Sequence, residues 1–183
     1  MSRNLRDFTK AVYGFDAVVR RAPETTWTAP SACEGWTGAD VVSHVRDIAG
    51  GVIALASDGG MELPAATGDP AADWTALRET LLEALDQPAC LQREGETPFG
   101  HMTVDRLIGI LGVDPLCHTF DLAVAAGVDP ALDDALVERY DRNLHKAGDM
   151  IRSPGMFGPE VDAPADATPA EAFLAFAGRN PGP

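Results

Sequence analysis

The side chains with the most chemistry to offer here are four histidines, His44, His101, His118 and His145, set in a chain rich in acids. His118 has Asp114 four residues before it and Asp121 three residues after it. On a helix both spacings fall on one face, so carboxylates and imidazole project together. His44 follows Val41 by three residues and precedes Ile48 by four, which sets it on the apolar side of its own helix. Two imidazoles and one carboxylate from facing helices, with a fourth position open, form the ligand pattern of a catalytic metal site. Asp121 then stands where an outer acceptor would orient a ligand imidazole. The plain alternative remains open at this point. A single inward histidine is more often a hydrogen-bonded core residue, and Asp-x-x-x-His spacing arises often by chance.

The remaining candidates carry less. Pro115 directly after Asp114 disfavours helical angles at that aspartate, so the helix either begins anew near 115 or is kinked there. In the first case Asp114 is an exposed residue of a broken helix. His145 adjoins Leu144, one residue off an apolar stripe, and reads as a surface histidine. His101, in the run Pro98-Phe99-Gly100-His101, reads equally as part of a pocket mouth or as a solvated loop residue. Asp40 precedes His44 by four but reads as a helix cap. Cys117 projects about 100° away from His118 on a helix, and Cys33 lies in a loop without a basic neighbour to lower its pKa. Neither a Ser/His/Asp nor a Cys/His arrangement has support in the spacing, and no strand precedes a glycine-rich phosphate loop.

The elements that must position these residues are helical. Leu5, Phe8, Val12, Phe15, Val19 and Ala22 step by three and four, one face of a helix that Pro23 ends. Thr37 is the expected N-cap of a second helix, with Asp40 completing a capping box and Val41, Val45, Ile48 and Val52 as its buried stripe. Residues 57–72 read as a Gly/Pro/Asp-rich connection, after which Asp73 is expected to cap a third helix carrying Trp74, Leu77, Leu81 and Leu85. A fourth helix is expected from about Thr103 to Ala126 with Gly127 as its stop. A fifth follows Asp129-Pro130 with Leu132, Leu136, Tyr140 and Leu144. An extended tail begins near Pro154, and Thr168-Pro169 opens a short last helix closed by Gly178. No strand-like alternation is evident. The expected fold is all-α: a four-helix bundle with an additional short C-terminal helix and an extended tail, one domain over residues 1–183.

Composition narrows the function classes. The 183 residues hold 28 Asp+Glu against 14 Lys+Arg, a formal charge of -14. Binding to nucleic acid or to an anionic membrane surface needs a basic face, so neither is expected as a partner. Residues 57–100 contain nine acids and two bases and read as a solvated face. Three cysteines with no C-x-x-C spacing exclude a disulfide framework or a thiolate zinc site. The charged N-terminus is unlike a signal peptide, and no window is read as approaching the roughly 18 apolar residues of a membrane span. A cytoplasmic protein is expected, and a homodimer is compatible with such a bundle.

The segment Trp27-x-x-Pro30-Ser31-x-Cys33-Glu34-Gly35-Trp36-Thr37, followed by Asp40-Val41-Val42-x-His44, resembles the opening of the mycothiol-dependent maleylpyruvate isomerase metal-binding domain. The run His118-Thr119-Phe120-Asp121-Leu122-Ala123-x-Ala125-x-Gly127 is similar to that family's second signature, with Phe120 in place of the usual Trp. The ending, Phe173-x-x-Phe176 through Gly178-Arg179-Asn180-Pro181, resembles the close of the short, single-domain members. The resemblance implies a DinB-like four-helix bundle holding one divalent metal through His44, Asp114 and His118, with Asp114 where the isomerase has glutamate. An N2O ligand set with a sulfur nucleophile suits zinc, with nickel, iron or manganese as alternatives, and the resemblance implies mycothiol as thiol cosubstrate. The activity implied is transfer of that thiol to a small electrophilic substrate, or isomerisation of it. A non-catalytic metal-binding or ligand-binding bundle, and a metal-dependent hydrolase using water, are the competing expectations.

Overall fold

In the computed structural model, residues 1–152 and 156–180 are described. Pro154, where the extended tail is expected to begin, and Pro181 of the terminal motif lie outside them. Local chemistry sets most helix starts where the sequence marks them. Helix α1 (Arg3–Val19) is capped by the Ser2 hydroxyl, which accepts from the Leu5 N–H. Helix α2 (Gly38–Ala56) begins in the Thr37/Asp40 capping box, with each side chain bonded to the other's backbone. Helix α3 (Pro70–Asp86) corrects the reading by one turn. Its cap is Asp69, which accepts from the Ala71 and Ala72 N–H groups, and Pro70 takes the first helical position. Asp73 instead turns back to the connection, where it accepts from the Thr67 N–H and hydroxyl, both at 2.7 Å.

The expected fourth helix is two. Helix α4 (Val104–Leu111), capped by Thr103, ends at Gly112, and α5 (Val113–Ala126) runs to Gly127, whose φ of +65° suits a glycine stop. This division removes the proline problem. Pro115 lies in the first turn of α5, where a backbone N–H has no intrahelical partner, so its absence costs little. Gly112 is needed for a steric reason, since its φ of -64° is ordinary. A Cβ there would lie 1.8 Å from the Tyr140 hydroxyl oxygen. Tyr140 comes from α6 (Asp134–Ala147), capped by Asp133. Helix α7 (Pro169–Phe176) starts in the Thr168/Glu171 capping box with Pro169 first, as the sequence pattern predicts. The sequence shows no strand, yet β1 (Glu94–Gly95) and β2 (Met102–Thr103) form an antiparallel ladder. Two residues per strand are too few to show an alternation.

The chain is thus an all-α bundle of the DinB-like kind. Helices α1, α2, α3 and the α4–α5 pair enclose one core of Phe8, Val12, Phe15, Val41, Val45, Trp74, Leu77 and their neighbours. Phe15 and Trp74 meet edge to face with ring centroids 4.8 Å apart. Asp16, buried beside them, accepts from the Trp74 indole N–H at 3.1 Å and from Arg78 at 2.5 Å, so its charge is paired. A second cluster, with Leu116, Cys117, Leu136, Tyr140, Leu144, Phe173 and Leu174, joins α5 to α6 and α7. The stretch Val104–Ala126 corrects the reading that nothing approaches a membrane span. Its mean hydropathy of 1.5 passes by length and composition, but 72% of the window is buried within the bundle.

Gly112→Ala is expected to destabilise the fold by roughly 1–3 kcal/mol, the usual cost of overpacking, because α5 and Tyr140 must move apart. Tyr140→Phe alone is expected to be near neutral, since the hydroxyl it removes is buried without a hydrogen-bond partner. Urea denaturation of the two variants checks both signs.

Candidate metal centre

Two helices bring three side chains together. Helix α2 supplies His44, the first turn of α5 supplies Asp114, and the next turn of α5 supplies His118. His44 Nε2 lies 3.0 Å from Asp114 Oδ2, and His118 Nε2 lies 3.7 Å from the same oxygen. One donor atom from each of the three residues falls within a 4.8 Å spread. The two imidazoles meet edge to face, centroids 4.7 Å apart. The other carboxylate oxygen, Asp114 Oδ1, is buried and has no hydrogen-bond partner. Such an oxygen costs free energy unless something satisfies it. Two imidazole nitrogens and a carboxylate gathered this closely fit a divalent transition ion, which would complete that oxygen's bonding. Asp114 is one methylene shorter than glutamate, yet it reaches both histidines.

His118 is held from behind. Its Nδ1 donates to Asp121 Oδ2 at 2.7 Å, which leaves Nε2 of the neutral ring as the nitrogen with a free lone pair. Asp121 is fully buried, with 0% of its surface exposed. Burial alone would raise its pKa, but the His118 hydrogen bond and the Arg179 charge overcome this and hold it at about 2. Asp121 therefore sits where the sequence spacing places it, beside His118.

Three contributors were not legible as site residues: Trp36, Cys33 and Arg179. Backbone bonds from Ser31 N–H to the Trp36 carbonyl and from Trp36 N–H to the Cys33 carbonyl close a tight turn, with Gly35 at φ +78°. The turn lays the Trp36 ring parallel to His118, centroids 5.9 Å apart, and tilted over His44 at 5.1 Å. It also brings the Cys33 thiol to Asp121 Oδ2 at 3.1 Å. The expectation that Cys33 lacks a basic neighbour holds in sequence but not in space, since Arg179 is 3.6 Å from its sulfur. The surroundings still disfavour its thiolate. Burial and the Asp121 charge outweigh Arg179 and push its pKa to about 12. Cys117 is fully buried and likewise pushed up to about 12 by burial.

His44 is half-buried rather than fully inward, and it opens onto a cleft of about 440 Å³ lined also by Gly35, Trp36, Asp40, Ser43 and Asp47. Neither His101 nor His145 joins the group. His101 is exposed in its loop. His145 is exposed on α6, where its ring stacks on Phe176 at 3.9 Å and Nδ1 lies 3.0 Å from the Asp141 carbonyl. Neither cluster of closely spaced donor atoms among the described residues draws on 57–100.

Residues 8–123, well over half of the chain, match the family described as the mycothiol maleylpyruvate isomerase N-terminal domain. The chain belongs to that family. The match to the mycothiol maleylpyruvate isomerase N-terminal domain takes in His44, Asp114, His118 and Asp121 and ends before α6 and α7. Two proteins of Mycobacterium tuberculosis, from strains CDC 1551 / Oshkosh and H37Rv and each described as uncharacterized, are 29% identical to it over 174 residues. These cover 93% of this chain and 94% of theirs. No solved structure matches the chain.

The His44–Asp114 pair predicts opposite pH responses in two measurements. Burial lowers the His44 pKa, but the Asp114 hydrogen bond and charge more than offset it, leaving the pKa above the usual 6.5. A raised histidine pKa stabilises the ion-free protein fully below the unfolded value of 6.5, and that increment is lost as pH rises through the folded value. A cation competes with the same proton, so zinc affinity is expected to fall as pH drops through that window, with proton release on binding. Zinc titration calorimetry at several pH values and in buffers of different ionisation enthalpy checks this. Affinity that is flat with pH, without proton release, is the contrary result.

Proposed function

We propose that this protein is a divalent-metal-dependent enzyme that activates a low-molecular-weight thiol, of the mycothiol kind, for transfer to or isomerisation of a small electrophile. The observation that carries the reading is Asp114, whose Oδ2 faces the ring nitrogens of His44 and His118 while its buried Oδ1 has no partner. Membership of the mycothiol-related family supports the choice of thiol.

His44, Asp114 and His118 would hold the ion, and zinc suits their N2O set best when sulfur is the nucleophile. When bound, such an ion supplies Lewis acidity that lowers the pKa of a thiol or water reaching it. Two neutral imidazoles and a single carboxylate leave a dication with net positive charge, which that role requires. Among the described residues no fourth His, Cys, Asp or Glu joins the three, so a position is left for an exogenous ligand. That favours catalysis over a closed storage site. His44 lines the cleft through which such a ligand would enter, and the Trp36 ring walls the two imidazoles. The chain's own thiols do not suit the nucleophile's role. Cys33 and Cys117 are both pushed up to about 12, and burial raises Cys90 as well. The thiol must therefore be an added cosubstrate. The three cysteines are free, which agrees with a reducing compartment, and the cytoplasm is the proposed location.

Metal analysis of the purified protein beside His44→Ala and His118→Ala tests the reading first. Roughly stoichiometric metal in the wild type and a loss of at least 10-fold in affinity in each variant are expected. Equal metal in all three sinks it. Turnover of an epoxide or an unsaturated acid with and without mycothiol is the second arm. Thiol-dependent consumption supports the proposal, whereas turnover with water alone identifies a hydrolase, and metal without turnover identifies a binding protein.

A further inference from the structure

The residue that completes the support of His118 comes from outside the stretch that matches the family. At the C-terminal end of α7 the chain makes a Schellman turn. The Gly178 N–H donates to the Ala175 carbonyl at 3.0 Å and the Arg179 N–H to the Leu174 carbonyl at 2.8 Å. Gly178 has φ +81°, and a Cβ there would lie 2.9 Å from the Pro159 carbonyl oxygen, so both conformation and space call for glycine. The turn reverses the chain and sends the next side chain, Arg179, back into the bundle.

There the guanidinium grips Asp121 as a fork. Arg179 Nη2 donates to Oδ2 at 2.9 Å and Nε to Oδ1 at 3.3 Å. Nη1 is held by the Ala177 carbonyl at 2.8 Å, and the group lies over the Phe157 ring at 5.7 Å. Arg179 and Asp121 are both buried, so neither side chain is free to rotate in solvent. Asp121 Oδ2 in turn receives the His118 Nδ1 proton. A second group of potential ligand atoms, Cys33, His118 and Asp121, lies in this spot. Its positive charge is already supplied by Arg179, at 2.9 Å from the carboxylate and 3.6 Å from the thiol. The cluster is therefore a clamp and not another ion site.

We propose that Arg179 is a positioning residue for the metal centre. It fixes both oxygens of Asp121, and one of them, Oδ2, holds the His118 ring with Nδ1 protonated and Nε2 facing Asp114. The inference rests on the metal-binding reading above. It makes the C-terminal helix and its glycine stop part of the site, although neither lines the cleft beside His44. Arginine is required for its geometry as well as its charge, because a lysine offers no planar fork.

The test uses the full chain with Arg179→Met, Arg179→Lys and, as a control, Arg139→Met. Arg139 also pairs with a partly buried carboxylate, Asp7, but does so between α6 and α1, away from the site. Zinc affinity by chelator competition is expected to fall about 10–100-fold in Arg179→Met, the range for losing an outer partner of a ligand histidine. It should fall less in Arg179→Lys and stay unchanged in Arg139→Met. In the ion-free protein, the downfield proton of His118 Nδ1 in the NMR spectrum should be sharp in the wild type and the control. It should be lost or broadened in both Arg179 variants.

Wild-type zinc affinity in a folded Arg179→Met, or an equal loss in Arg139→Met, overturns the proposal. If Arg179→Met does not fold, Arg179→Lys decides by the same two readouts. A wild type that binds no zinc defeats the metal reading alone. The His118 proton, measured without metal, still decides for or against Arg179.

Discussion

A fully buried, ionised carboxylate is the constraint around which this end of the molecule is organised. Asp121 must be charged to accept all the donors that reach it, and a buried charge is tolerated only when paired and hydrogen-bonded. Its partners come from three separate parts of the chain: His118 one turn away on α5, Cys33 in the loop before α2, and Arg179 after α7. Removing any one leaves the others around a less satisfied charge. The loop, the bundle and the C-terminal segment are therefore tied together by one side chain of four heavy atoms. The same tie orients an imidazole.

The two acids flanking His118 make an instructive contrast. Asp121 is saturated with donors and held at about 2, so it is a fixed charge with no capacity left over. Asp114, one turn earlier, keeps an oxygen with no partner and shares the other between two histidines. Its place in the first turn of α5 also sets its charge at the positive end of the helix dipole. One carboxylate is finished and the other is waiting. That difference in satisfaction, more than the presence of acids and histidines, separates a structural pair from a site able to take a ligand.

How much of this was legible in the sequence follows from the range of each interaction. Helix periodicity and capping chemistry are local, so α2 and α7 are legible nearly to their ends, and α1 and α6 to within a turn, with Ala22 and Leu132 lying outside them. So is the common face of Asp114, His118 and Asp121, because three- and four-residue spacing encodes it directly. The errors also have local causes. Asp73 looked like a cap because Asp69-Pro70 was absorbed into a Gly/Pro-rich connection. The steric need for glycine at Gly112 is not legible locally, because the Tyr140 hydroxyl that crowds it is supplied from another helix. Trp36, Cys33 and Arg179 escaped for the same reason. Their roles depend on a tight turn and a helix stop that redirect the chain across long separations. Gly178, which marks the end of α7, and the terminal motif that contains Arg179 are the signals that point to it. A left-handed glycine stop sends the following side chain back across the helix it ends.

The excess of acid, which argues against a nucleic-acid partner, also bears on what can approach the cleft. Asp40 and Asp47 stand on its lining beside His44. Asp40 is kept ionised by the Thr37 hydroxyl and backbone N–H, which lower its pKa. With a formal charge of -14 behind them, these walls attract a cation to the His44–Asp114–His118 group and leave an uncharged thiol unopposed. A dianionic substrate would meet repulsion at the mouth, to be offset only after the site itself carries positive charge. Order of entry then follows from electrostatics. On the metal-binding proposal, the cation would settle among the three side chains before an anionic electrophile finds the cleft favourable, and a neutral one needs no such sequence.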